Sequence, residues 1–157
     1  MKRVRIEASK SYDVLLGPGL LNQCGERLLE AVRPCRAAVI TDDTVAALYG
    51  GTVKNSLDEA GFQADMFVFP HGEQHKTMET LASVLEWMAE NRLTRSDLVV
   101  ALGGGVVGDL AGFAAAVYCR GARFVQIPTT LLAAVDASVG GKTAVDLKAG
   151  KNLAGAF

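Results

Sequence analysis

Short runs of branched and aromatic residues alternate along the chain with stretches whose apolar positions recur at helical spacing. "AAVITD" (37–42), "DMFVFP" (65–70), "DLVVAL" (97–102) and "RFVQIP" (123–128) each end in polar or turn-forming residues, a pattern that predicts strands. "RVRIEA" and "YDVLLG" predict a pair of edge strands near the start. "LLNQCGERLLEAV" places Leu20, Leu21, Cys24, Leu28 and Val32 on one helical face. "METLASVLEWMAENRL" places Met78, Leu81, Ala82, Leu85 and Ala89 on one stripe with charges opposite. Strand and helix in this order predict an α/β fold, a Rossmann-like parallel sheet with helices on both faces. Ligands of such sheets sit beyond the carboxyl ends of the strands. Those ends are Asp42, "HGEQHKT", "GGGVVGD" and "TT".

Composition narrows the partners. Half of the 157 residues are hydrophobic and 21% are charged, enough for one domain with a real core. A formal charge of −1 gives no electrostatic footprint for nucleic acid or an anionic membrane, which leaves small molecules as the expected ligands. Glu7 and Asp13 interrupt the basic start and no apolar h-region follows, so neither a signal peptide nor a transit peptide is expected. Cys24, Cys35 and Cys119 match neither a disulfide framework nor C-x-x-C ligation, which fits a reducing cytoplasm.

Gly103, Gly105 and Gly108 in "GGGVVGDLAGF" match G-x-G-x-x-G between a credible strand and a credible helix. Glycines there let the backbone approach a pyrophosphate, and the helix start offers free N–H groups; a merely tight strand–helix turn is the alternative. Two features depart from an ordinary dinucleotide fold. The loop follows earlier strand–helix units, and no acidic residue occurs from Leu110 to Val135 to hold the ribose. "GGKT" (140–143) is not a P-loop, because Asp136 stands where the first glycine belongs. His71 and His75 lie four apart, but Pro70 and Gly72 oppose a helix, and the pair reads as polar loop residues with no metal site. Further on, Asp136, Lys142, Lys151 and Asn152 stand among small and apolar residues, with Arg120 upstream. Together they suggest a pocket for a ligand with a phosphate, a carboxylate and hydroxyls, although each lysine alone reads as a solvated turn residue.

"PHGEQHKT", "ALGGGVVGDLAGFAAAVYCRG", "VQIPTTLLAAVDASVGGKTAVD" and "GKNLAGAF", in this order, closely resemble the N-terminal half of the 3-dehydroquinate synthase family. The resemblance implies the sheet of the dehydroquinate synthase and glycerol dehydrogenase type, with NAD as cofactor. It implies conversion of 3-deoxy-D-arabino-heptulosonate 7-phosphate to 3-dehydroquinate and phosphate in the shikimate pathway, with the NAD recycled within each turnover. By the same resemblance Asp42, His71, Gly72, Glu73, Gln74, His75, Lys76, Gly104, Gly105, Val106, Val107, Gly108, Asp109, Thr129 and Thr130 form the nucleotide site. Arg120, Asp136, Lys142 and Asn152 become substrate ligands, while Lys142 and Lys151 lie where nucleotide and substrate meet. Glu73 and Lys76 would replace the missing ribose acid. The family uses a divalent metal, zinc or cobalt, held by a following helical domain, so no metal ligand is expected in these residues, and the 157 residues alone are expected to be inactive. A cytoplasmic homodimer is implied for the full-length form. A metal-dependent glycerol or alcohol dehydrogenase and a non-catalytic NAD-binding module remain as alternative readings.

Overall fold

The computed structural model describes residues 1–7 and 10–157. It opens with an antiparallel hairpin, β1 (Lys2–Ile6) and β2 (Tyr12–Leu16), which pairs only with itself among the described residues. The expected edge strands are therefore a separate ribbon, and Ala8, the last residue of the run "RVRIEA", lies outside the described residues. A 3-10 turn (Leu20–Gln23) leads into the short helix α1 (Cys24–Leu28). Leu21, Cys24, Leu28 and Val32 of this segment pack inward as their spacing predicts, while Leu20 of the expected face is half-buried outside that core.

Four parallel strands follow in the order β4-β3-β5-β6: β3 (Arg36–Asp42), β4 (Gln63–Phe69), β5 (Leu98–Gly103) and β6 (Arg123–Pro128). Their alternate side chains enter two cores. Ala37 and Val39 of β3, with Leu98, Val100 and Leu102 of β5, meet Cys24, Val53 and Leu57 on one face. Ala38, Ile40, Val99 and Ala101 meet Leu81, Val84, Met88 and Leu110 on the other. Burial on both faces is why the central strands β3 and β5 read as apolar runs.

Between β3 and β4 runs one continuous helical stretch: α2 (Asp43–Val45), a π-helical turn (Ala46–Gly50) and α3 (Gly51–Glu59). Helix α4 (Met78–Glu90) carries the chain back across the sheet to β5, and α5 (Gly105–Val117) connects β5 to β6. The buried face of α4 is Leu81, Val84 and Met88, with Leu85 packed beside them. Met78, Ala82 and Ala89 of the expected stripe are exposed, so the stripe is rotated from the expected one. Val84 and Met88, three and seven residues beyond Leu81, bury more apolar surface than two alanines, and that difference sets the rotation.

Helix α5 is buried on nearly all sides because a second hairpin covers the flank that the sheet leaves open. This hairpin, β7 (Thr143–Leu147) and β8 (Gly150–Ala156), is antiparallel and irregular opposite Asp146. A Cβ on Gly112 would stand 2.3 Å from Cγ2 of Thr143, so only glycine admits β7 this close to the helix.

Asp97 ties the sheet together at its amino-terminal edge. Its carboxylate accepts the Arg36 N–H at 3.1 Å, the Thr94 N–H at 2.7 Å and the Thr94 hydroxyl at 2.8 Å. Replacing Asp97 with alanine leaves these part-buried donors without their acceptor and is expected to cost about 1–2 kcal/mol in urea denaturation. Asp97→Asn, which keeps one carbonyl oxygen, is expected to lose less, and equal losses in the two variants would refute the hydrogen-bond account.

Candidate functional site

The chain leaves β3 toward β4 on one side and returns to β5 on the other, so the sheet reverses direction between β3 and β5. This switch point opens a crevice at the carboxyl edge. Gly103 ends β5 there, and Asp42 stands across from it, one residue past the Thr41–Leu102 pair. The glycine loop thus occupies the position that ligands favour in such sheets although it follows the third parallel strand rather than the first.

The three motif glycines have different tasks. A Cβ on Gly103 would meet Val107 Cγ2 at 2.5 Å, and one on Gly108 would meet Gln126 Oε1 at 2.8 Å, so these two permit close packing. A Cβ on Gly105 would find ordinary contact with Ala137 at 3.6 Å, leaving this position open to the crevice. Helix α5 starts at Gly104 with no side-chain cap and no acidic residue in its first turn. Its first internal bond is Gly108 N–H to Gly104 carbonyl, so the N–H groups of Gly105, Val106 and Val107 have no intrahelical acceptor. The Val107 side chain is buried in the core, which leaves only its backbone for a ligand.

The "TT" segment lies alongside. Thr129 donates its N–H to the Gly103 carbonyl at 3.0 Å, and its hydroxyl is buried with no hydrogen-bond partner. The Thr130 hydroxyl accepts the Ala133 N–H at 3.1 Å and starts a π-helical turn (Ala133–Ala137) beside the glycine loop. Asp42 caps the next helix through the Val45 N–H at 2.9 Å.

One turn into α5 the chain builds a polar cluster around the Lys76 ammonium, whose side chain is 5% exposed. It donates to Asp109 Oδ2 at 3.2 Å and to Asn152 Oδ1 at 2.8 Å, and stands 3.3 Å from Glu73 Oε1. Asp146 lies 3.8 Å away, and the Lys151 ammonium reaches Glu73 at 3.5 Å. Burial lowers the Lys76 pKa, but Asp109 and then Glu73 outweigh it and hold the ammonium above its ordinary value. Burial pushes the Asp109 carboxyl up; Lys76 pulls it down less strongly, and the charges of Glu73 and Asp146 add to the rise. The two shifts are consistent because three carboxylates here face only two cations.

The structure therefore brings Glu73, Lys76, Asp109, Lys151 and Asn152 together. Lys76 faces inward, with its three donors directed at protein atoms. Gly72, at φ 108, turns the chain into a 3-10 turn (Glu73–His75) that rules out a zinc-binding helix. His71 pairs with Asp43 at 2.7 Å on the surface, and Gln74 and His75 line a shallow groove against β4 and α4. Asp136 and Lys142 are exposed, in the π-helical turn and in the loop before β7, with no ion-pair partner among the described residues.

Arg120 departs from the expected pocket. It follows the C-terminal end of α5, which runs from the carboxyl edge of the sheet to its amino-terminal edge. A 13-residue helix spans roughly 20 Å, which sets Arg120 apart from the glycine loop at the helix start within this chain. Asp146 is the member that sequence reasoning missed, and its place in "KTAVDLKAGKN", six residues before Asn152, was the available clue.

Comparison with known proteins agrees with this geometry. Residues 66–157 match the family model described as 3-dehydroquinate synthase N-terminal. The 3-dehydroquinate synthase of Paracoccus denitrificans is 53% identical over 149 residues, covering 95% of this chain and 41% of that protein. The chain thus spans about two fifths of the length of the curated relatives it matches. Among solved structures, 2-deoxy-scyllo-inosose synthase complexed with carbaglucose-6-phosphate, NAD+ and Co2+ is 28% identical with a TM-score of 0.90, over 99% of this chain and 43% of that one. The 2-epi-5-epi-valiolone synthase of Streptomyces hygroscopicus, with NAD+ and Zn2+ bound, is 35% identical with a TM-score of 0.84 and the same coverage. Glycerol dehydrogenase from Schizosaccharomyces pombe, 16% identical with a TM-score of 0.68 over 88% of this chain and 32% of its own, shares the fold alone. Sequence, sheet order and glycine loop agree, and the chain belongs to the 3-dehydroquinate synthase N-terminal family.

Proposed function

We propose that this chain is the nucleotide-binding portion of a 3-dehydroquinate synthase, a cytoplasmic homodimer that converts 3-deoxy-D-arabino-heptulosonate 7-phosphate to 3-dehydroquinate and phosphate. The observation that carries the reading is the uncapped glycine-loop helix at the switch point, with the unpartnered Thr129 hydroxyl buried beside it. Both fit a dinucleotide. NAD, when bound, supplies reversible oxidation of a ring hydroxyl, which acidifies the neighbouring C–H so that phosphate can leave.

This chain's own residues bind and orient. The N–H groups of Gly105, Val106 and Val107 face the pyrophosphate, and the helix start favours its charge. The Thr129 hydroxyl gains a partner, and Asp42 and Glu73 supply acceptors for ribose hydroxyls. Lys142 holds an anionic group of the substrate, Asp136 and Asn152 orient its hydroxyls, and Lys151 lies between the two ligands. Arg120 is left out of this chain's own pocket. Among the described residues no group of three or more His, Cys, Asp or Glu is placed to hold a metal ion, so these residues do not fit that role. The divalent metal of the proposal needs ligands from outside these 157 residues. The free state of all three cysteines supports a reducing compartment, and among the described residues no helix is long and apolar enough to cross a membrane.

The decisive assay places these residues in an enzyme of the relatives' full length. It should release phosphate from the heptulosonate phosphate without net NADH, whereas stoichiometric NADH from glycerol would establish a dehydrogenase instead. Calorimetry on the 157-residue chain should show saturable NAD binding without turnover. Gly105→Val, which the crevice has room for, should weaken that binding at least about tenfold, or ~1.4 kcal/mol. Unchanged affinity would remove the glycine loop from the site.

Lys76 is, on this reading, a positioning residue. Its raised folded-state pKa means that its stabilisation is complete below the unfolded value of 10.5 and is lost as pH climbs through the raised folded value. Lys76→Met strands three carboxylates and is expected to cost about 3 kcal/mol at pH 7. The gap to the parent should shrink above pH 10.5. A gap that stays constant to pH 12 would contradict the ion cluster.

A further inference from the structure

We infer that Asp146 is a positioning residue that sets the conformation of the segment carrying Lys151 and Asn152. The hairpin pairs Val145 with Ala154 and Leu147 with Gly150, so β8 has more residues than β7 between these two pairs. The surplus bulges out opposite Asp146, and bulged residues leave backbone groups outside the ladder. Asn152 sits in this bulge at φ 57, a left-handed conformation uncommon for any residue but glycine and most tolerated by asparagine and aspartate. Its N–H, out of register, needs another acceptor. Asp146 Oδ1 supplies it at 2.8 Å.

The same residue is anchored from its other side. The Asp146 N–H donates to the Lys76 carbonyl at 2.8 Å, and Thr77 and Asp146 form an isolated parallel bridge. Three segments therefore converge on Asp146: the loop that carries Glu73 and Lys76, strand β7, and the bulge of β8. With the bulge fixed, the Asn152 side chain meets the Lys76 ammonium at 2.8 Å and Lys151 meets Glu73 at 3.5 Å. Asp146 Oδ1, which accepts the Asn152 N–H, also lies 3.8 Å from the Lys76 ammonium. Burial pushes the Asp146 carboxyl upward, but the Asn152 N–H, then Lys76, with Glu73 and Lys151 adding to them, hold its pKa below the ordinary value. Its effect on ligands is transmitted through Asn152 and Lys151, and that part of the inference rests on the reading under Proposed function.

Asp146→Ala removes the acceptor, and Asp146→Asn keeps an oxygen for the Asn152 N–H while removing the charge. Amide hydrogen exchange and backbone chemical shifts are measured on parent and variants, with and without NAD. Asp146→Ala should speed exchange at Asn152 at least about tenfold and move the Lys151 and Asn152 signals, while Thr143 and Ala156 at the hairpin's far end keep parental protection. Asp146→Asn should restore both within about threefold. Parental protection of Asn152 in the alanine variant overturns the proposal, as does equal loss of protection along the whole hairpin. Should the alanine variant fail to fold, parent-like Asn152 protection in Asp146→Asn supports the hydrogen bond, and its loss there overturns it. NAD-induced shifts at Lys151 that weaken in the alanine variant would show the link to the nucleotide. A parent that gives no NAD response refutes the functional reading while exchange at Asn152 still decides the role of Asp146.

Discussion

The Lys76 ammonium is the point on which the ligand-facing half of the molecule depends. A buried cation costs several kcal/mol unless it is closely paired, and here Asp109, Glu73 and the Asn152 amide surround it. Each partner belongs to a different segment: α5, the loop after β4, and the second hairpin. Satisfying one ammonium therefore ties together three pieces of chain that are far apart in sequence. An apolar side chain in its place would leave Glu73, Asp109 and Asp146 as mutually repelling charges, so the cluster constrains the lysine as firmly as the lysine constrains the cluster.

That constraint explains how a glycine-loop helix becomes part of a larger site. Helix α5 is sandwiched between the sheet and the β7–β8 hairpin, and its small residues allow both approaches. Its first turn faces the crevice with free N–H groups, while Asp109, just inside, reaches Lys76. The helix start and the hairpin residues Lys151 and Asn152 are thereby joined through one set of charges. In the proposed enzyme this places the nucleotide and the substrate ends of the site on a common rigid support.

The parallel strands were legible because burial on both faces leaves an unmistakable apolar run, as in "LVVAL". The glycine loop was legible because its spacing is local. Helix α4 was legible in extent but not in rotation, since Ala82 and Ala89 fit a helical stripe as well as Val84 and Met88 do, and only tertiary packing separates them. The lysine cluster could not be read from periodicity: Lys76 and Asn152 lie 76 residues apart, and no local pattern reports such a pair. The family resemblance assigned Lys76 to the nucleotide and Asn152 to the substrate, and it carried no information on Asp146. Arg120 follows the far end of α5, a separation from the glycine loop that nearness in sequence does not display.

Residue-resolved hydrogen exchange in Lys76→Met tests the central claim most directly. If one ammonium secures the hairpin to the helix, amides of the 73–77 loop and of β7 and β8 should exchange at least about tenfold faster, with β3 and β5 protected as in the parent once global stability is matched. Uniform acceleration across sheet and hairpin, or no acceleration in the hairpin, would contradict it.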